Sequence, residues 1–70
     1  MTIGTYVCDK DDLNAEYPAI IVYDHSIVNN PGLFSIKRTN GYLSLREESE
    51  LREIEPIEFC KVWCKKQIKY

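Results

Sequence analysis

The chain has 70 residues, 44% hydrophobic and 29% charged, with a formal net charge of −2. That length allows one small core, which must use most of its apolar residues to offset chain entropy, and it excludes a structural repeat array; the composition excludes a disordered chain. Net acidity opposes nonspecific attraction to nucleic acid or anionic lipid, and no stretch of the sequence approaches the length of a membrane span.

Residues 2–8 are rich in β-branched and aromatic side chains, with Ile3, Thr5 and Val7 on one face and Gly4, Tyr6 and Cys8 on the other, which predicts a first strand. The opening residues offer neither a basic n-region nor an apolar run long enough for secretion. Three cysteines cannot all pair within one chain, so free thiols in a reducing, cytoplasmic setting are the expectation. Residues 9–18 carry Asp9, Asp11 and Asp12 as solvated charge and end in Tyr17-Pro18, the pattern of a loop, with Leu13 as its tie to the core. Residues 19–24 are apolar on both faces, Ile20 and Val22 on one, Ala19, Ile21 and Tyr23 on the other, as a strand covered twice would be. Something must pack outside it. Asn29-Asn30-Pro31-Gly32 then places proline and glycine where a type II turn wants them.

Residues 33–46 read LFSIKRTNGYLSLR, two alternating runs around Asn40-Gly41, the strongest short-range hairpin signal a sequence offers. A two-residue turn would set Ile36 opposite Leu45 and Arg38 opposite Leu43. Phe34, Ile36, Leu43 and Leu45 would then share the core face, with Lys37, Tyr42 and Arg46 on the outer one. Beyond Arg46, charged residues around Leu51 predict a helical turn and then a closing strand near Ile54. Pro56 suits a helix start, and acids precede lysines through residue 69, as a helix dipole prefers. Helix is the reading for residues 56–69, although Ile57, Phe59 and Trp63 also fit strand alternation. As a helix the segment carries a stripe of Phe59, Cys60, Trp63, Cys64 and Gln67 or Ile68, able to cover the second face of residues 19–23.

The order of strand, polar loop, buried strand, turn, tight hairpin, helical turn and closing strand resembles small SH3-like barrels, and GLFSIKRTNGYLSLREESELREI looks like the closing hairpin of Tudor, chromo and KOW-like modules. The resemblance implies a mainly β fold: a five-stranded barrel over residues 3–55 with a short C-terminal helix over 56–69, one domain in all. The peptide-binding branch of that class uses adjacent tryptophans, whereas the sole tryptophan here, Trp63, lies outside the barrel segment. The KOW-like branch uses a basic, glycine-bearing loop, which this acidic chain does not show. Fold-level likeness leaves the function open.

Chemistry-bearing clusters are sparse. Asp24-His25-Ser26 contains the names of a triad, but neighbours on an extended segment point apart and no nucleophile elbow is present, so His25 reads as a solvated loop histidine. Cys60 and Cys64 share a helix face and could be joined by Cys8 and His25 as a zinc set, but the spacing lacks the usual pair of knuckles. Buried or free thiols are expected, with no metal and no cofactor. Tyrosine and arginine combine contact area with a hydrogen-bonding tip, so Tyr6, Tyr23, Lys37, Tyr42 and Arg46 form the expected partner-binding face. The sequence reads as a non-catalytic interaction module, a small regulator or inhibitor of the kind bacteria and bacteriophages use, acting on a larger protein. The alternatives are a nucleic-acid-binding module using Lys37, Arg38, Arg46 and the lysines of residues 61–69, and a small zinc-binding domain.

Overall fold

The structure, a computed structural model, describes residues 1–67, with side chains through residue 64. Five antiparallel strands form one sheet: β1 (Tyr6–Asp9), β2 (Ala19–Asp24), β3 (Leu33–Arg38), β4 (Leu43–Glu47) and β5 (Leu51–Glu53). Helix α1 (Pro56–Gln67) follows. The mainly β architecture with a C-terminal helix is the one expected. Strand order is β4-β3-β2-β1-β5, so β4 and β5 stand at opposite edges and the sheet is not closed.

The sheet nevertheless curls. Asp9 on β1 accepts a hydrogen bond from Arg46 Nε on β4 at 3.3 Å and from Arg38 Nη2 on β3 at 3.1 Å. In a flat sheet β1 and β4 would lie about 14 Å apart, three strand spacings. The face these groups share is the inner one, where Val7, Ala19, Ile21, Phe34, Ile36 and Leu51 form the buried core. Most of these are β-branched or aromatic, the side chains that fill a pleated surface best.

Several local expectations are revised. The first strand begins at Tyr6 because Gly4, at φ 93°, sits in a turn closed by the Thr5 N–H on the Thr2 carbonyl at 3.0 Å. Leu13 is 82% exposed and ties nothing to the core. Polar bonds hold the loop instead: the Asp12 carboxylate accepts the Glu16 and Tyr17 N–H groups at 3.0 and 2.9 Å, and Arg52 Nη2 donates to the Asp12 and Leu13 carbonyls at 2.7 and 3.1 Å. Asp9 and Asp12 are therefore structural acids rather than solvated charge. In β2 the pairing runs from Ile21 opposite Ile36 to Tyr23 opposite Ser35, skipping Val22. This bulge moves Tyr23 to the outer face, beside Ile20. A short 3₁₀ turn, His25–Val28, follows, capped by Asp24. The expected turn closes next, with Gly32 at φ 79° and the Leu33 N–H on the Asn30 carbonyl at 3.2 Å.

The hairpin carries the main correction. Ile36 faces Ser44, Ser35 faces Leu45 and Lys37 faces Leu43, one residue away from the expected register. The loop has an extra residue, Thr39-Asn40-Gly41: Arg38 N–H reaches the Tyr42 carbonyl at 2.9 Å, and Gly41 N–H reaches the Arg38 carbonyl at 2.9 Å. A type I′ turn needs positive φ at both central residues, yet only Gly41 has it, at 90°. The Asn40 side chain accepts the Tyr42 N–H at 3.1 Å, stabilising the longer loop. A one-residue slip exchanges the faces of a strand, so Leu43 and Leu45 leave the core and Arg46 enters reach of Asp9.

The 3₁₀ turn Glu48–Glu50 supplies the expected helical turn, but it ends before Leu51, which stands on the closing strand β5 (Leu51–Glu53) rather than in the turn. The turn has a reciprocal cap, in which Glu50 Oε1 accepts the Glu47 N–H at 2.9 Å. Residues 56–67 are helical as expected, while 68 and 69 lie outside the described residues. The helix covers less of β2 than its stripe suggested. Phe59 is half-buried, its ring 5.1 Å from that of Tyr6, but Trp63 is 45% exposed and Cys60 and Cys64 face solvent. Ile68 and the Gln67 side chain lie outside the described part. Among the described residues no helix is long and apolar enough to cross a membrane.

Candidate interaction surface

The outer face of the sheet is built in two rows. One runs Tyr6, Ile20, Lys37, Leu43 across four strands, and the next runs Tyr23, Ser35, Leu45 across three. Leu43, Leu45 and Tyr23 are 66%, 55% and 38% exposed, so large apolar side chains lie on one face with little cover. At one end the face meets α1 in a cleft of about 420 Å³ lined by Ile20, Lys37, Gly41, Phe59 and Trp63. Isolated exposed apolar residues are ordinary; Leu43 and Leu45, next to one another on the same face of β4 and flanked by Lys37 and Ser35, form an exposed apolar pair.

The expected face is divided by the register. Tyr6, Tyr23 and Lys37 are together on the outer face. Tyr42 and Arg46 are not: both occupy inner-face positions, Tyr42 exposed beside Arg38 at the hairpin end, and Arg46 bonded to Asp9 and, through Nη1 at 2.8 Å, to the Leu45 carbonyl. Leu43 and Leu45, assigned to the core from sequence, stand in their place. The length of the turn decided this, and the Asn40-Gly41 pair signals a turn without stating its length.

His25 is not a free loop side chain. Its Nε2 lies 2.7 Å from Ser35 Oγ, and its ring meets that of Tyr23 edge-on with centroids 4.7 Å apart. The Asp24 carboxylate accepts the Ser26 N–H at 2.9 Å, and this bond holds its carboxyl below the usual carboxylate range. Asp24 thus serves as a cap, and the three neighbouring residues do not assemble a nucleophile and its base. The carboxylate form makes this cap, so its contribution is present at neutral pH and fades as pH falls through the lowered pKa.

Cys8 is buried with Sγ 3.6 Å from the Asp12 carbonyl, whereas Cys60 and Cys64 are exposed on α1. The set Cys8, His25, Cys60 and Cys64 is not brought together: among the described residues no group of three or more His, Cys, Asp or Glu could hold a metal ion. Burial pushes the Cys8 thiol up, so little of it is thiolate near neutral pH. In the native protein a thiol reagent will therefore modify Cys60 and Cys64 rapidly and Cys8 only on unfolding. Mass spectrometry after a short alkylation pulse checks this; early label on Cys8 would contradict the packing of the loop over β1.

No protein-family model, curated protein or solved structure matches the chain. The functional reading therefore rests on its own residues and their geometry.

Proposed function

We propose that the protein is a non-catalytic interaction module that binds a larger protein through the outer face of β2, β3 and β4. The observation that carries this reading is the exposure of Leu43, Leu45 and Tyr23 on one sheet face beside the cation Lys37. Apolar anchors with a polar rim are the usual composition of a protein interface. The reading also places the fold among SH3-like barrels. Its supports are the strand order, the long loop before β2, the tight hairpin between β3 and β4, and the 3₁₀ turn before β5. A regulator or inhibitor role suits such a module, because binding alone then suffices for function.

The nucleic-acid alternative has weaker support. Phosphate binding needs several cations along one track. Arg38 and Arg46 are engaged by Asp9 on the inner face, Lys37 lies on the opposite face, and Lys61 sits 3.9 Å from Glu58 on α1, while the side chains of Lys65, Lys66 and Lys69 lie outside the described part. Affinity capture from a cell lysate tests the two readings with the same bait. The wild-type chain should retain a specific protein through moderate salt, and the double variant Tyr23→Ala, Lys37→Ala should lose it while keeping its circular dichroism. Retention of DNA or RNA at low salt, lost as salt rises, would replace this proposal with the nucleic-acid one, since phosphate contacts release counterions.

A further inference from the structure

β4 is an edge strand, and its hydrogen-bonding phase is set at both ends. Arg38 N–H donates to the Tyr42 carbonyl at 2.9 Å, and Glu48 N–H donates to the Gly32 carbonyl at 2.7 Å. Antiparallel ladders alternate bonded and non-bonded pairs. Tyr42, Ser44 and Arg46 therefore bond back to β3, while Leu43, Leu45 and Glu47 turn their N–H and C=O groups outwards. The Arg46 guanidinium on the Leu45 carbonyl, at 2.8 Å, fits this phase and leaves that oxygen a second lone pair. Exposed edges are usually blunted by proline, a bulge or a lysine. β4 has neither proline nor lysine and its register runs without a shift; the one protective inward charge it carries is Arg46, turned to Asp9, which leaves the outer side of the edge bare at Leu43 and Leu45.

We infer that two copies of this chain join through antiparallel pairing of their β4 edges, about a two-fold axis passing beside Ser44, to form one continuous sheet. The sequence of the strand is self-complementary in that register. Leu43 of each copy stands opposite Leu45 of the other on the outer face, and these are the outward-turned residues that exchange N–H and C=O groups. Ser44 meets Ser44 at the axis, where the close non-bonded spacing of about 4.5 Å favours a small side chain. On the inner side Tyr42 faces Arg46 of the second copy, an arginine at an aromatic ring. The neighbouring registers fit worse: one sets Leu43 against the carboxylate of Glu47, and the other sets Leu45 against Gly41 in the loop.

The pairing covers the backbone edge and the flanks of Leu43 and Leu45, and it joins the two outer faces into one wider apolar platform. A standard stable interface buries about 800 Å² on each partner, more than one short strand edge supplies, so the dimer belongs to the weak, concentration-dependent class. Its formation does not depend on the partner-binding reading, and each can fail alone.

Sedimentation velocity of the full chain, from about 5 μM to about 1 mM, should show the 8.2 kDa species giving way to one of twice that mass, a midpoint in the micromolar range. Leu45→Lys places like charges near the axis without opening a core cavity, and it should raise the dissociation constant at least about tenfold. Amide exchange provides the second measurement: Leu43 and Leu45 should gain protection with concentration, and Ser44 should already be protected when dilute. A wild-type chain that stays monomeric to about 1 mM overturns the inference. So does a dimer that Leu45→Lys leaves unchanged, or one without the gain of protection at Leu43 and Leu45.

Discussion

Replacing Phe34 with alanine will cost about 3 to 5 kcal/mol, whereas the same truncation at Leu45 will cost less than about 0.5 kcal/mol. Phe34 is 3% exposed within the core, and Leu45 is 55% exposed on the other side of the sheet. A domain of this size has a total stability of roughly 4 to 10 kcal/mol, so Phe34→Ala should leave it barely folded at room temperature. Urea unfolding at low temperature and at concentrations well below dimer formation measures both values. The contrast tests the hairpin register more sharply than either variant alone. Equal losses at Phe34 and Leu45 would restore the two-residue turn and remove the apolar outer face on which the proposed function stands.

The second large effect is expected at Asp9. Its carboxylate joins β1 to Arg38 and Arg46, and the Arg38 side chain is only 14% exposed. Asp9→Ala leaves that guanidinium largely out of water with the Tyr17 carbonyl as its remaining partner, and it should cost about 2 to 3 kcal/mol. Arg46 is 35% exposed, so its share of the loss is small, because water screens such a pair. A double-mutant cycle separates the two: coupling of Asp9 to Arg38 should exceed its coupling to Arg46. An unchanged urea midpoint for Asp9→Ala would mean that the curl of the sheet is held by the apolar core alone.

Local chemistry explains what was legible in the sequence. Pro31-Gly32 and Asn40-Gly41 located their turns because few other residues accept the backbone angles those turns need. Alternation in residues 33–38 located β3, and a proline start followed by an acid-to-base gradient favoured a helix for residues 56–69 over a strand, which Ile57, Phe59 and Trp63 also fitted. Each of these signals is carried by residues close together in the chain.

The sequence by itself determined five strand segments and their order and favoured the terminal helix, since propensity, turn residues and periodicity act within a few residues. Only the tertiary structure decided which side of β4 faces the core. Either turn length satisfies the local preferences of Asn40 and Gly41, and either gives β4 a regular alternation. The choice depends on groups distant in sequence: Asp9, which Arg46 reaches only in the observed register, and the inner layer of Val7, Ile21, Phe34, Ile36 and Leu51, which is built without Leu43 and Leu45. The bulge at Val22 is of the same kind, because a skipped residue is defined by its partner strand. The candidate surface follows from these two events. Its tyrosines and lysine could be named from the chain, but its leucines could not, since a one-residue shift moves a side chain from the interior to the exterior without changing a letter of the sequence.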